Sequence, residues 1–370
     1  MMEDNKISKK FFNNREELQK KINDALSQRK KNYLKNVDQL KKEFNLGPVA
    51  QSNKFNDLVR SQKTRNKNNF LNNTTGINEI KDLTKSISQF FENDCSAYMA
   101  LGGLGDLLLV LAVAYDQPKP KILFLANQPN NLIIKDFCSF FQVPCLVHKN
   151  LMGTHWCNII YEKFIQMPCF KESAHLAENC NYGDWFNSEK YRPRIRTETN
   201  WGEFVGTNRL FKEKYVIFCP SGSWKGESRR RYLSLEEYRT VIGKLLEKKY
   251  KIVTTSSETD LKSYGLFPNQ NCYWMTNQYV YSYDGTKKQI TFRDFLQYLN
   301  SSDLNVSMDT YLKTLMLLLG KESIVVRTRF NGIYKYDESD ASDKIFLDPI
   351  LWPKLKLTTV EELIELLDQY

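Results

Sequence analysis

The chain reads as an α/β protein of two Rossmann-like halves joined in series behind a basic, helical N-terminal extension. Three observations predict this. From Cys95 onward, apolar runs of strand length alternate with runs of helical period. The alternation restarts at Tyr215. Nine of the chain's ten net positive charges fall in residues 1–90. A length of 370 residues suits two domains plus additions, each able to bury its own core. The expected division is 1–92 for the extension, 93–210 for the first half and 211–370 for the second.

The extension opens with a predicted amphipathic helix over 14–45. Leu18, Ile22, Leu26, Tyr33, Val37, Leu40 and Phe44 recur at steps of three, four or seven among Lys, Arg, Glu and Gln. Such a stripe packs on the body, pairs with a second copy to make an oligomer, or lies on a membrane surface. Docking on the body is the default. Gly47-Pro48 ends the helix, residues 49–76 read as a polar linker closed by a turn at Asn72–Gly76, and a further helix runs from about Asn78 to Phe91. The positive balance of residues 1–76 suits a polyanion: nucleic acid, an anionic membrane surface or lipopolysaccharide phosphates. A solvated helical face is the plain alternative.

In the first half, Cys95–Leu101 reads as a buried strand, Gly102-Gly103-Leu104-Gly105-Asp106 as a turn, and Leu107–Ala114 as a helix with a carboxylate in its first turn. A strand at Lys121–Ala126, a helix at Leu132–Phe141 and a strand at Pro144–Val147 complete a βαβαβ unit. Segment 150–210 is less regular. It is rich in aromatic residues and holds Arg192, Arg194 and Arg196, which suits an acceptor-facing insert and the crossing between halves.

The second half begins with the strand Tyr215–Pro220. A helix from about Ser234 to Lys248, a strand at Lys251–Thr255, a helix near Phe292–Leu299 and a strand at Leu304–Val306 follow. Then come a helix at Leu312–Leu319 and a strand at Ser323–Val326. Thr358-Thr359-Val360-Glu361-Glu362 marks the capped start of a last helix.

Composition excludes some classes. No run of about 18 apolar residues suggests a membrane span, and Met1-Met2-Glu3-Asp4-Asn5-Lys6 lacks the apolar core of a secretory signal. A cytoplasmic protein, peripheral to a membrane if the arm binds one, is expected. The eight cysteines then read as reduced thiols, several of them within apolar runs. Cys145, His148, His155 and Cys157 fall close together, with Cys169, His175 and Cys180 after them. Neither group has zinc-finger or zinc-ribbon spacing, so no metal is expected.

Three stretches carry candidate chemistry. Asp106 follows a turn in which Gly102, Gly103 and Gly105 permit close approach of a ligand. Pro220-Ser221-Gly222-Ser223-Trp224-Lys225, with Arg229-Arg230-Arg231 after it, joins a strand end, small residues and cations, a natural diphosphate site. Ser307-Met308-Asp309-Thr310 is again a strand end entering a helix. Asp309 would accept from a ribose or sugar hydroxyl, and Thr310 with nearby amides would donate to phosphate, although Asp-Thr is also an ordinary helix cap. There is no P-loop, and the glycine spacing is not that of a dinucleotide fold, which argues against kinases and dehydrogenases.

The order of these stretches resembles glycosyltransferase family 9, the ADP-heptose:lipopolysaccharide heptosyltransferases of the GT-B fold, over roughly residues 95–370. Gly105-Asp106-Leu107-Leu108-Leu109 is similar to the family's opening Gly-Asp and apolar helix, and Tyr215–Ser223 to the start of its donor domain. Arg230-Arg231-Tyr232 stands at the family's Lys-Arg-Trp-Pro-like segment, and Ser307-Met308-Asp309-Thr310 is similar to its Asp-Thr-Gly motif. Tyr311 and Thr314 depart from that motif's Gly and His.

The resemblance implies two Rossmann-like domains facing a cleft. It implies inverting transfer from a nucleotide sugar such as ADP-heptose to a glycan or lipopolysaccharide-like acceptor, with no obligatory metal or other cofactor. Asp106 would serve as base, and Ser221, Gly222, Ser223, Lys225, Arg230, Arg231, Asp309 and Thr310 would bind the donor. A carboxylate in the first turn of a helix is a weak base, which favours a role in orienting the hydroxyl. Two other readings keep the fold: a transferase acting on hydroxylated bases in DNA, and a non-catalytic binding or scaffold protein.

Overall fold

The computed structural model describes residues 74–126, 128–149, 160, 163, 164, 166–174, 199–222, 232–256, 270–327 and 352–369, together with Asp24, Ser27, Gln28, Lys31 and Lys35. Those five residues, all within 14–45, are helical and exposed. The chain divides into two compact units. One comprises Met1–Asn93, Leu151–Phe170 and Asn179–Trp185; the other comprises Asp94–Asn150, Lys171–Glu178 and Phe186–Tyr370.

In the first unit, helix α1 (Thr74–Phe90) buries Ile80, Leu83, Thr84 and Ile87 along one face, and Phe91 follows at its end. Phe91 meets Phe164 edge-on at 4.9 Å, and Phe164 meets Phe170 at 5.5 Å. The turn expected at 72–76 is corrected, because the backbone is already helical from Thr74 through Gly76. A glycine inside a helix costs about 1 kcal/mol, less than the roughly 1.5–3 kcal/mol from burying one large apolar side chain on the same helix.

Among the described residues the second unit holds two sheets. The first has the order β3-β2-β1-β4, with β1 at Ser96–Gly102, β2 at Pro120–Ala126, β3 at Cys145–Lys149 and β4 at Phe170–Ala174. Strands β1, β2 and β3 pair in parallel. All seven residues of β1 are buried, the pattern of a strand covered on both faces. Helix α2 (Leu104–Ala114) follows β1 and α3 (Leu132–Phe140) follows β2. Strand β4 lies in the segment expected to be irregular. Its sequence, Phe-Lys-Glu-Ser-Ala, has no apolar alternation that could announce it.

The second sheet has eight strands in the order β12-β11-β10-β5-β6-β7-β8-β9. They are β5 (Tyr215–Cys219), β6 (Lys251–Thr254), β7 (Cys272–Met275), β8 (Tyr279–Ser282), β9 (Lys287–Gln289), β10 (Leu304–Ser307), β11 (Ser323–Val326) and β12 (Leu355–Thr358). From β12 to β7 every pairing is parallel, and β7-β8-β9 is an antiparallel meander. The sequence reading placed no strand between 255 and 292 and none at β12. These strands span only three or four residues each, too short for periodicity to emerge. Strand β9 is wholly polar and exposed, which blunts the sheet edge.

Among the described residues the unit also holds helices α4 (Trp201–Val205), α5 (Leu235–Glu247), α6 (Phe292–Asn300), α7 (Tyr311–Leu318) and α8 (Val360–Asp368). Ser234 with Glu237, Thr291 with Asp294 and Thr359 with Glu362 form reciprocal capping boxes at the starts of α5, α6 and α8.

Strand β5 shows how the period of two builds the interior. Val216 and Phe218 enter a core with Tyr238, Val241, Leu363 and Leu367, residues of α5 and α8. Tyr215, Ile217 and Cys219 enter the opposite core. That core runs on without a break through α7 (Leu312, Leu315, Met316) and α2 (Leu107–Ala114) to Phe124 of β2. Helix α2 packs directly on α7, and α3 on α6.

Candidate functional site

The first sheet reverses its strand order at β1, whose neighbours are β2 and β4. Open α/β sheets bind ligands at the carboxyl ends of strands beside such a reversal. The glycine turn stands there. Gly102, the last residue of β1, has φ 119°, a conformation that only glycine adopts without strain. Gly103 caps α2 in extended conformation, and its N–H donates to Asp106 Oδ2 at 2.8 Å. Among the described residues, a Cβ on Gly103 would meet no atom closer than that oxygen, at 3.7 Å. The protein's own packing therefore does not require glycine at 103. What glycine provides is room above the turn, which Gly105, partly exposed in the first turn of α2, shares. Asp106 itself is 4% exposed. A carboxylate there is stabilised by the helix N-terminus as well as by its hydrogen bond.

The second sheet reverses at β5, between β6 and β10. Both remaining candidate stretches start at this crevice. Ser307 of β10 pairs with Cys219 of β5, and Met308 N–H donates to the Cys219 carbonyl at 2.9 Å. Ser221 and Gly222 are buried just past β5. Ser221 Oγ donates to Ser256 Oγ at 3.2 Å, and Cys219 Sγ lies 3.3 Å from the Ser221 carbonyl. Thr310 Oγ1 reaches Cys219 Sγ at 3.9 Å and accepts from Leu312 N–H at 3.2 Å, capping α7. The helix-cap reading of the Asp-Thr pair is thus seen directly, and the pair stands at the β5/β10 crevice. Burial pushes the Cys219 thiol up, against hydrogen bonds with Ser256 and Thr310 that pull the other way. It remains a neutral packing group rather than a nucleophile. Burial likewise raises the Tyr311 phenol.

Asp309 is tied to a partner that sequence reasoning missed. Its Oδ1 lies 2.9 Å from Lys313 Nζ, one helical turn on, and the Lys313 side chain is 1% exposed. A buried ammonium needs such a partner. The signal was present in the sequence: a lone cation inside the apolar run Leu312–Leu319, four residues after a carboxylate. The structure joins Ser221, Cys219 and Thr310 into one network and links the two crevices through the packing of α2 on α7. Asp106 is engaged with its own turn. Ser223, Lys225, Arg229, Arg230 and Arg231 lie outside the described residues, as do His155, Cys157, His175 and Cys180. Among the described residues no group of three or more His, Cys, Asp or Glu is arranged to hold a metal, and no helix is long and apolar enough to cross a membrane.

No protein-family model matches the chain, and no curated protein does. Solved structures similar to it include E. coli heptosyltransferase WaaC with ADP-2-deoxy-2-fluoro heptose, at 12% identity over 74% of this chain and 98% of that chain, with a TM-score of 0.38. A glycosyl transferase family 9 protein from Veillonella parvula DSM 2008 matches at 12% identity over 75% and 97%, with a TM-score of 0.37. Methanocaldococcus jannaschii UDP-GlcNAc 2-epimerase in complex with UDP-GlcNAc and UDP matches at 10% identity over 74% and 92%, with a TM-score of 0.40.

Proposed function

We propose that the chain is a glycosyltransferase of the GT-B arrangement. It would move a sugar, heptose or a similar one, from a nucleoside-diphosphate sugar to a glycan or lipopolysaccharide-like acceptor with inversion. The observation that carries this reading is the placement of the candidate residues. Gly102, Gly103, Gly105 and Asp106 stand at the reversal of the first sheet and Ser221, Gly222, Asp309 and Thr310 at that of the second, and the helices that begin there, α2 and α7, pack on each other. The domain division at 92 and 210 belongs to the same reading.

In this reading the diphosphate lies at the β5/β10 crevice. The start of α7, with Thr310, and the small residues Ser221, Gly222 and Ser223 offer hydrogen-bond donors. Lys225, Arg230 and Arg231 take up the charge that grows on the departing diphosphate. Asp309, whose Oδ1 is held 2.9 Å from Lys313 Nζ, would accept from a sugar or ribose hydroxyl. The acceptor lies at the glycine turn. Its hydroxyl oxygen bonds to the anomeric carbon as the bond from that carbon to the diphosphate oxygen breaks, and its proton passes to the Asp106 carboxylate. Asp106 is nearly buried and bonded to Gly103 N–H, so it orients the hydroxyl first and takes the proton late. The basic arm, residues 1–76, would hold an anionic acceptor or the membrane surface bearing it.

The test is thermal denaturation of the full chain with nucleoside diphosphates and nucleotide sugars. A ligand at 100 times its dissociation constant stabilises the chain by about 2.7 kcal/mol and raises the melting temperature accordingly. A flat response across the panel at millimolar concentration would overturn the reading.

A further inference from the structure

An aromatic pair beside the β5/β10 crevice has no part in the chemistry proposed above. Trp274 of β7 stands level with Thr254, the last residue of β6. Its indole N–H donates to the Ser256 carbonyl at 2.9 Å, and Ser256 Oγ accepts from Ser221 Oγ. The ring is therefore tied to the same network that holds Ser221. Directly across the β7–β8 ladder, Tyr281 stacks on the indole with centroids 4.5 Å apart and planes 20° apart. Both rings keep part of their surface exposed. An indole fixed at its N–H and backed by a second ring is a rigid, pre-organised surface. Strands β5 and β7 are two inter-strand spacings apart, roughly 10 Å. A ribose and its first phosphate bridge such a separation.

We propose that the Trp274–Tyr281 stack is the platform for the planar base of a nucleoside diphosphate whose phosphates occupy the crevice at Ser221 and Thr310. This inference rests on the nucleotide-sugar reading above. Stacking draws on the π-face that every base has, so the platform contributes affinity without choosing among bases. Purine and pyrimidine diphosphates should depend on it equally.

Calorimetric titration of the full chain with ADP, UDP and inorganic pyrophosphate tests this. Trp274→Leu is expected to weaken ADP and UDP alike by about 10-fold and to leave pyrophosphate unchanged. Trp274→Phe keeps a ring but loses the N–H bond to Ser256, and should recover part of the ADP and UDP affinity that Trp274→Leu loses with pyrophosphate again unchanged, which separates loss of the stacking surface from misfolding of the leucine variant. ADP and UDP binding unaltered by Trp274→Leu would remove the platform while leaving the nucleotide-sugar reading in place. A parallel loss of pyrophosphate would also overturn it, since the indole would then be supporting the crevice rather than the base. If the unsubstituted chain bound none of the three ligands, the nucleotide-sugar reading would fall and this inference with it.

Discussion

Asp106→Asn is expected to lower sugar transfer by about 10²–10⁴-fold, the range a positioned proton acceptor supplies, while the chain stays folded. The amide oxygen of Asn can still accept from Gly103 N–H, the bond that Asp106 Oδ2 makes at 2.8 Å. Asn is also a good partner for a helix start. What the substitution removes is the negative charge and, in the proposed mechanism, the capacity to take the acceptor's proton. Asp106→Ala removes the hydrogen bond as well and should cost about 1 kcal/mol of stability in addition. Circular dichroism melts alongside a transfer assay separate the two effects. Transfer by the Asn variant within a few-fold of the unsubstituted chain would leave Asp106 a structural cap only.

Gly202→Ala should destabilise the chain by about 1–3 kcal/mol, although alanine is normally the better helix residue by about 1 kcal/mol. The sign is reversed by what a Cβ would meet. It would lie 2.5 Å from the Leu319 carbonyl oxygen, 2.9 Å from Asn300 Oδ1 and 3.0 Å from Asn200 Oδ1. The first of these is backbone and cannot swing aside. Asn300 also donates to the Gly202 and Gly206 carbonyls, so pushing it away breaks the bonds that close α4. Next to Gly202, Trp201 is 1% exposed and stacks obliquely on Phe141 at 4.2 Å, which fixes α4 from the other side. Gly243 in α5 is the control, since a Cβ there meets nothing within 4 Å. Gly243→Ala should stabilise by about 0.5–1 kcal/mol. Urea titrations of the two variants should shift in opposite directions, and a shared direction would contradict the packing of α4.

The elements that sequence alone revealed are those whose burial is written locally. Strand β1 is apolar from Ala97 to Leu101 because both its faces are covered, and β11 is legible at Ser323–Val326 for the same reason. The start of α8 was legible because Thr359 and Glu362 form their capping box within four residues. Strands β7, β8 and β9 were not legible. They are short and mixed in character, and become strands through pairing with β6 and one another rather than through any pattern of their own. The site divides in the same way. The glycine turn, Ser221 and Thr310 stand at strand ends that the alternation already marks. The pairing of Lys313 with Asp309 is also local, one helical turn apart, whereas the contact of Cys219 with Thr310 and the anchoring of Trp274 on Ser256 depend on how neighbouring strands and helices meet.

The contact of α2 with α7 has a bearing on motion. Both helices are buried along most of their length, and their facing residues belong to one unbroken apolar interior. Swinging the first sheet away from the second about a hinge would wet that interior, at about 25 cal/mol for each Å² uncovered. A large hydrophobic interface of this kind holds segments together where a small polar one would let them part. Small sliding of α2 along α7, the backbone of each helix moving as a rod, is the displacement that would keep that interior dry. Such sliding would carry the glycine turn and the start of α7 past each other, adjusting the spacing between the two strand-end crevices without exposing the core.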